Sequence, residues 1–494
     1  MRQELKKLAY RLPKRVAYHE SGGSFQLVLE FPLKAMLLHP SWRAVFDVLA
    51  KGGFVPVETI VPLVEPPDPE KVEIFLDDLV RKGFLERDGL SVLSEHPFVS
   101  IIIPVRNRPE EIEICLGSLD QLHYPRDRME IIVVDDASDD NTPDVASEFE
   151  VNVIYLKEHK QASYCRNLAA EGAKGDILAF IDSDCLADPL WLRELVPAFK
   201  EKSIGAVGGM VDSYFGKKGL DRYEAVKSSL NVCTWFRRSG ENDPFFYVPS
   251  CNLLVRRDLF LRLGGFSEEM HVGEDVNFCW RLQDAGHYVE FRPQGRVSHR
   301  HRNRIWPFCS RRFDYGTSEP LLQQMHSKRR KQLIFPPGAS LFWSIAVLAI
   351  LLKYAPLFVL CGITVLLDAQ SKLSGIKQRG ISIKFPPLFL AVLRSYFAFF
   401  YHCSAFVSRY YLIWSIAIIP LFPLVSAILL GMHLLTGLVE YFIKKPRLNP
   451  ASYFLYFSLE QLSYQLGVWW GCLKHLSFRA VNPRLALRIS SAGS

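Results

Sequence analysis

The chain has 494 residues, and its 59 Lys and Arg against 52 Asp and Glu give a net charge of +7. Apolar residues make up 49% and charged residues 22%, which excludes a disordered or fibrous protein. The small charge excess does not indicate a nucleic-acid partner, and none is expected. The 10 Cys form no C-x-x-C pair, so zinc ribbons and disulfide frameworks are not expected. Changes of composition predict three regions: 1–95, 96–335 and 336–494.

The first region is predicted to be a winged-helix-like module. Asp68 and Pro69 suit the N-cap and first turn of a helix, and Gly83 suits its end. Apolar residues recur at helical spacing between them: Val72, Phe75, Leu76, Leu79 and Val80. The following FLERDGLSVL predicts a β-hairpin with Asp88-Gly89 at its turn. An accessory domain without a ligand is the alternative.

The second region predicts an α/β fold with a Rossmann-like, mostly parallel sheet. Apolar runs typical of buried strands alternate with helical patterns: VSIIIPV, EIIVVDDAS, NVIYL and DILAFIDSDC. Ligands of such sheets bind beyond the carboxyl ends of the strands. Pro104–Asn107, Asp135–Ser138 and Asp182–Asp184 lie at the carboxyl ends of three of these runs. We therefore expect these polar clusters to line one crevice.

The third region predicts membrane-associated helices, with membrane lipid as a partner and buried core helices as the alternative. Two apolar runs flank Lys353–Pro356 and indicate either one kinked helix or a re-entrant hairpin. The basic loop after them favours the hairpin and a catalytic domain on the cytoplasmic side of the cell membrane. The run from Leu412 is the strongest predicted span, and the aromatic segment 452–476 predicts an interfacial helix.

The acidic clusters carry the predicted chemistry. Asp182-Ser183-Asp184 is a D-x-D motif whose carboxylates suit Mg²⁺ or Mn²⁺, and such an ion can bridge to a diphosphate. Asp135 and Asp136 could accept hydrogen bonds from a nucleobase or ribose, or could make an Asx turn.

A second acidic cluster and several cationic side chains complete the candidate site. In Gly273-Glu274-Asp275 a carboxylate could act as a general base, with helix capping as the alternative. Arg106, Asn107 and Arg166 are donors suited to phosphates or a base. His299 could complete the metal site, and His301 is a weaker candidate. A basic run could meet diphosphate or lipid headgroups, or could be a solvated face: Arg300, Arg302, Arg304, Arg311 and Arg312.

Five motifs in order resemble family 2 glycosyltransferases of the GT-A fold: VSIIIPVRNRPEEIEICLGSL, IIVVDDASDDNT, ASYCRNLAAEGAKGDILAFIDSDC, CNLLVRRDLFLRLGGFSE and VGEDVNFCWRL. The resemblance implies sugar transfer from a nucleotide diphosphate with inversion of the anomeric centre. It implies catalysis by Asp275 with Glu274, acceptor binding by Asn252, and metal binding by Asp182, Asp184 and His299. Its implied nucleotide-sugar site comprises Pro104, Val105, Arg106, Asn107, Asp135, Asp136, Arg166, Asp182 and Ser183.

The sequence outside these motifs indicates which group of family 2 glycosyltransferases the chain resembles. No Q-x-x-R-W motif follows Asp275, which argues against a cellulose-synthase-like mechanism. RRFDYGTSEPLL and SYQLGVWWGCLKHL resemble glycosyltransferases of mycofactocin systems, and region 1–95 resembles PqqD-like peptide-binding modules. The resemblance implies transfer of glucose, from UDP-glucose, to a peptide-derived redox cofactor precursor. A polyprenyl-phosphate or cell-surface glycan acceptor is one alternative, and a membrane-anchored peptide-binding adaptor with an inactive transferase domain is another.

Overall fold

Two small sheets and three helices form the N-terminal part of the computed structural model, which describes residues 6–21, 24–93, 95–240, 243–301 and 303–487. The order β2–β3–β4 makes an antiparallel sheet, and β5–β1–β6 makes a second one. The elements are β1 (Ala9–Arg11), β2 (Val16–Ser21), β3 (Ser24–Leu29), β4 (Lys34–Leu38), α1 (Arg43–Leu49), β5 (Val55–Pro56), α2 (Val57–Ile60), α3 (Pro69–Lys82) and β6 (Glu86–Asp88).

The local signals for α3 hold in the structure, but the predicted hairpin after it is wrong. The Asp68 carboxylate accepts a hydrogen bond from the Lys71 amide at 3.1 Å, and Gly83 ends the helix with φ of 87°. Strand β6 then pairs antiparallel with β1, Ala9 lying opposite Asp88, and not with the residues after Gly89. Strand β6 therefore belongs to a small sheet whose strands are distant in sequence.

A nine-stranded mixed sheet forms the centre of the second region, in the order β11-β15-β12-β14-β10-β7-β8-β9, with β13 pairing with β15. The predicted βαβ units are confirmed, because β7 pairs parallel with β8 and β10, and β8 pairs parallel with β9. The elements are β7 (Val99–Val105), α4 (Pro109–Leu119), β8 (Met129–Asp135), α5 (Thr142–Ser147), β9 (Asn152–Tyr155), α6 (Ala162–Gly172), β10 (Ile177–Ile181), β11 (Cys185–Ala187), α7 (Trp191–Leu195), β12 (Ile204–Ser213), α8 (Gly219–Lys227), β13 (Arg237–Arg238), β14 (Asn252–Arg256), α9 (Arg257–Arg262), α10 (Glu274–Asp284), β15 (Tyr288–His299) and α11 (Ile305–Met325).

Apolar helices dominate the C-terminal region. Among the described residues, α13, α14 and α15 are long and apolar enough to cross a membrane. Helices α12 and α13 form the predicted hairpin, whereas the apolar run from Leu412 is split between α14 and α15 and is not one span. The elements are β16 (Gln332–Ile334), α12 (Pro337–Leu351), α13 (Leu357–Gln378), α14 (Phe385–Ala417), α15 (Pro423–Lys444), α16 (Pro450–Lys474) and β17 (Arg484–Ala486).

Two compact units divide these elements differently from the three consecutive regions. One contains the described residues of 1–89, 330–436 and 482–494, and the other contains 90–329 and 437–481. The predicted helical region 336–494 is thus shared between the units, and α16 belongs with the large sheet.

Helix α16 packs tightly along α11 within the second unit. A Cβ atom on Gly467 would collide with the carbonyl of Phe313, and one on Gly316 with the carbonyl of Tyr464. The glycines therefore bring the two backbones together. Phe457 and Val468 of α16 are buried. The segment predicted as an interfacial helix is a packed part of this unit.

Candidate active site

The acids after β8 are buried, and one of them organises the loop before α6. The Asp136 carboxylate accepts hydrogen bonds from the backbone amides of Lys160 and Gln161 at 2.6 and 3.0 Å, and lies 2.7 Å from His159 Nδ1. Asp135 accepts from the Ser138 amide at 3.2 Å through Oδ2, while its buried Oδ1 has no hydrogen-bond partner among the described residues. Asp135 Oδ1 can therefore still accept a hydrogen bond from a ligand.

The loop after β7 is tied to the loop after β8 through Asn107. Its backbone amide donates to Ser138 Oγ at 2.9 Å, and its side-chain oxygen accepts from the Asp139 amide at 3.0 Å. Pro104 and Val105 lie within β7, and Arg106 is exposed beyond it. Asn107 thus joins the two loops, and Arg106 lies exposed beside it.

The D-x-D motif follows β10 at the same edge of the sheet. Arg108 Nη1 donates to Asp184 Oδ2 at 2.5 Å, and His299 Nε2 lies 3.3 Å from Asp184 Oδ1. Burial raises the pKa of Asp184, but His299 and Arg108 outweigh it, so the pKa lies below its ordinary value. Asp184 is therefore held as a carboxylate. Ser183 between the two aspartates is buried.

Arg166 on α6 joins the D-x-D motif to the second acidic cluster. It is 3% exposed, and its guanidinium donates to Asp182 Oδ1 at 2.5 Å and to Glu274 Oε1 at 3.1 Å. Burial opposes its charge, yet Asp182 and Glu274 raise the pKa of Arg166 above its ordinary value. One cation thus holds together acids that lie 92 positions apart in the chain, at 182 and 274.

Asp275 stands at the start of α10 without acting as its N-cap. Gly273 occupies the cap position with φ of 83°. The Asp275 carboxylate accepts from the Ser250 and Val276 amides at 3.2 and 2.7 Å. Burial and the neighbouring Glu274 carboxylate raise the pKa of Asp275 to about 7. Asp275 can therefore take up or release a proton near neutral pH.

Comparison with known families identifies this region. Residues 100–264 match the family model described as Glycosyl transferase family 2. This part of the chain is a family 2 glycosyltransferase domain. Its α/β sheet agrees with the predicted GT-A fold class, and the region beyond the match carries Asp275 and His299.

Several known proteins are similar to this chain. A pre-mycofactocin glycosyltransferase of Mycobacterium tuberculosis is 25% identical over 403 residues, 79% of this chain and 83% of that protein. Glycosyltransferase AglE of Haloferax volcanii is 32% identical over 202 residues, 40% of this chain and 64% of that protein. Among solved structures, a mannosyltransferase of Pyrobaculum calidifontis in complex with GDP-Man and Mn²⁺ covers 81% of this chain and 94% of its own, with 17% identity and a TM-score of 0.46.

A cation fits one part of the glycosyltransferase site by the chemistry of its donors. Ligand atoms of Asp184, Cys185 and His299 lie within 4.8 Å of one another. The carboxylate and imidazole are suitable donors for Mg²⁺ or Mn²⁺. Burial raises the pKa of the Cys185 thiol well above its ordinary value, so this side chain stays protonated and is a poor ligand. Two of the three predicted metal ligands lie together here, while Asp182 is bonded to Arg166.

Asn252 lies where the predicted acceptor role is not supported. The side chain is completely buried, and its oxygen accepts from Trp191 Nε1 at 2.8 Å. Its amide group donates to the carbonyls of Met210 and Gly295, both at 3.0 Å. The side-chain oxygen and amide group of Asn252 are thus used in hydrogen bonds within the second unit, where they stabilise the sheet.

The basic run after β15 has several separate roles, and its member Arg302 lies outside the described residues. Arg312 is buried and donates to Glu224 and Ser229. The Arg311 guanidinium lies 4.9 Å from the ring centre of Tyr315, and Arg300 donates its backbone amide to the Asp184 carbonyl at 2.9 Å. Buried His301 lies 3.2 Å from His299, nitrogen to nitrogen. The run is therefore not simply a solvated face.

Two residues near the candidate metal ligands were missed by sequence reasoning. Arg108 follows Asn107 directly, but its partner Asp184 is 76 positions away, and only the pairing of β7 with β10 brings them close. Cys185 lies opposite His299 in the β11–β15 pair. A search of D-x-D neighbours for soft ligands would have found Cys185, whereas no local pattern indicates Arg108.

Proposed function

We propose that this protein is a membrane-associated, metal-dependent, inverting hexosyltransferase. The observation that carries the proposal is the bridge made by Arg166, which bonds both Asp182 of the D-x-D motif and Glu274 beside Asp275. This bridge supports a site in which the proposed donor-binding motif and the candidate base lie close together. The family 2 match over residues 100–264 supports transfer of a sugar as the reaction.

The donor nucleotide would lie along the ends of β7, β8 and β10. Asp135 retains a buried acceptor atom suited to a nucleobase or ribose donor. Arg106 and Arg108 offer guanidinium groups that suit a diphosphate. Asp184 and His299, with Asp182 nearby in sequence, would hold Mg²⁺ or Mn²⁺. When bound, the cation would neutralise charge on the leaving diphosphate.

Asp275 would be the general base. A carboxylate with a pKa of about 7 is partly ionised at neutral pH and accepts a proton more readily than an ordinary aspartate. The hydroxyl of the acceptor loses its proton to Asp275 as its oxygen bonds to the anomeric carbon, and the nucleoside diphosphate leaves from the opposite face. The backbone amides of Ser250 and Val276 hold the carboxylate in place. One displacement inverts the anomeric centre.

The donor is proposed to be UDP-glucose and the acceptor a peptide-derived redox cofactor precursor. The similarity to a pre-mycofactocin glycosyltransferase over 79% of this chain supports this choice. The N-terminal module, for which a PqqD-like peptide-binding role is proposed, would serve the same acceptor. The helices α13, α14 and α15 support a location at the cell membrane. We place the catalytic domain on the cytoplasmic side, because the loop after α13 is basic.

A transfer assay with two acceptors tests the proposal. The purified full chain is incubated with Mn²⁺ and UDP-glucose, and with either a peptide-derived mycofactocin precursor or a polyprenyl phosphate. Mass spectrometry should show one or more hexoses on the peptide-derived acceptor. Transfer to the polyprenyl phosphate alone would establish the second candidate, which the long apolar helices favour. Absence of transfer from a panel of sugar nucleotides, with tight peptide binding, would contradict the enzyme and favour the adaptor.

A further inference from the structure

A cavity of about 360 Å³ lies within the first unit, between the N-terminal module and two of the apolar helices. Its walls are the start of β4, the second half of α13 and the first turns of α14. Apolar side chains form most of the lining, among them Leu33, Ile376, Leu388 and Val392. Its volume is within the range of roughly 300–1,000 Å³ that is usual for small-molecule sites.

The two sides of the cavity are firmly joined around it. Buried Gln26 accepts from the Ser382 amide at 3.2 Å and donates to the Ser382 carbonyl at 3.3 Å. The Arg394 guanidinium lies 4.0 Å above the ring of Phe31. Leu33 packs into the apolar cluster of α13 and α14. These contacts hold the two walls of the cavity against each other.

Lysines stand on two walls of this apolar cavity. Lys34 Nζ donates to the Lys82 carbonyl at 3.0 Å, and Lys372 Nζ donates to Asp368 at 2.7 Å. An ammonium has three N–H groups, and each of these contacts uses one of them. Both lysines can therefore also donate to an anionic group at the cavity.

The chain around the cavity carries an unusual excess of positive charge. No Asp or Glu occurs between Asp368 and Glu440. Five basic residues lie between 372 and 394: Lys372, Lys377, Arg379, Lys384 and Arg394. Clusters of this kind beside apolar helices attract anionic lipid headgroups.

The position of the cavity along the helices matches the level of lipid headgroups. The apolar part of α13 ends before Asp368, and the lysines follow it. Helix α14 has 33 residues, about 50 Å at 1.5 Å per residue, whereas a bilayer core is about 30 Å thick. Its first turns, which line the cavity, can therefore lie outside the hydrocarbon while the rest of the helix spans it.

We propose that this cavity binds an anionic phospholipid, with its phosphate at Lys34 and Lys372 and acyl carbons on the apolar lining. The inference rests on the proposed membrane association and names the lipid and the site that accompany it. Because β4 and α13 both contact the ligand, the lipid would fasten the N-terminal module to the membrane helices.

Native mass spectrometry of the full chain in neutral detergent tests this proposal. Phosphatidylglycerol and phosphatidylcholine with the same acyl chains are compared, with glycerol 3-phosphate as the headgroup alone. We expect at least tenfold tighter binding of phosphatidylglycerol and no comparable binding of glycerol 3-phosphate. The double variant Lys34→Ala/Lys372→Ala should lose that preference, whereas Lys14→Ala/Lys51→Ala, which changes two exposed lysines elsewhere in the module, should keep it.

A second variant tests the cavity without changing charge. Ala391→Trp places a large side chain in the lining and should weaken binding of both lipids at least tenfold. Equal binding of the two lipids, equally tight binding of glycerol 3-phosphate, a preference retained in Lys34→Ala/Lys372→Ala, or lipid binding unchanged in Ala391→Trp would each overturn the site. Recovery of the chain in the aqueous phase without detergent would instead contradict membrane association, so the two failures are distinguishable.

Discussion

Two buried arginines of the second unit make similar contacts in different settings. Arg166 lies at the strand ends and bonds Asp182 and Glu274. Arg312 lies on α11, bonds Glu224 and Ser229, and has the Glu460 carboxylate of α16 at 3.9 Å. Both are less than 5% exposed. The two sites differ in the hydrogen-bond partners of the acids around each arginine.

At the strand ends the acids outnumber the cation that joins them. Burial and the neighbouring Glu274 carboxylate raise the pKa of Asp275 to about 7, and the hydrogen bonds described for Asp275, from the Ser250 and Val276 amides, only partly offset this rise. Around Arg312 the acids have further partners, because Tyr223 donates its hydroxyl to Glu460. The first arrangement leaves a group able to exchange a proton, and the second holds helices together. The two sites therefore differ in Asp275, whose described hydrogen bonds come from backbone amides alone.

The largest expected effect tests the reactive member of this comparison. Asp275→Asn removes the proposed base at nearly unchanged size; its amide oxygen keeps one of the two backbone hydrogen bonds, and its amide nitrogen cannot accept the other. Transfer should fall by about 10²–10⁴-fold, the usual contribution of a general base. The rate is measured with saturating donor and acceptor, and calorimetry with UDP should show donor binding within a few-fold of the unchanged chain.

A matched control is Asp120→Asn, which alters an exposed aspartate paired with Arg126 in the same domain. It should leave the rate unchanged. Near-normal turnover of Asp275→Asn would show that this side chain is dispensable for transfer. The Arg166 site would then not differ from the Arg312 site in reactivity.

The next effect is a loss of stability on replacing Arg312 of α11. Arg312→Met leaves Glu224 and Glu460 buried without their cation, which costs about 3–5 kcal/mol in comparable buried pairs. The thermal unfolding midpoint in detergent should fall by several degrees. Arg126→Met breaks an exposed pair and should change stability by less than about 1 kcal/mol. Equal thermal unfolding midpoints for the two variants would show that the Arg312 ion pairs do not stabilise the fold.

The last expected effect is a pH dependence of both the transfer rate and the stability. Because Asp275 must be ionised to act, kcat/KM should rise about tenfold per unit below pH 7 and level off above it. The folded chain holds this proton more tightly than the unfolded chain, between the ordinary pKa near 4 and about 7. This contribution to stability is complete below that window and is lost as pH rises through it. Asp275→Asn should therefore gain stability relative to the unchanged chain above pH 7, and a rate that does not vary between pH 5 and 8 would contradict the assignment.

The site was predictable where a local pattern decides position. Buried strands read as continuous apolar runs, and the first polar residues after them necessarily meet at one edge of a parallel sheet. Asp135, Asp184 and Asp275 were found in this way or through the family motifs that follow them. The helix α3 was equally readable, since Asp68 and Gly83 act through neighbouring backbone groups.

Features that depend on distant pairing were not predictable. Asp88-Gly89 has the composition of a hairpin turn, yet β6 finds its partner in β1. Asn252 stands at a motif position, but its side-chain amide is already hydrogen-bonded to Trp191 and to two backbone carbonyls. The aromatic segment of α16 has the pattern of a membrane surface helix, and only the glycines facing α11 show that it packs inside the second unit.

The close contact of α11 and α16 decides how a water-soluble enzyme can be obtained. Ending the polypeptide after residue 335 would remove the partner that covers Gly316 and would expose the apolar cluster around Phe308 and Tyr223. A shortened protein made for crystallisation must therefore omit the intervening apolar helices and still supply residues 437–481, either on a designed linker or as a separately expressed fragment.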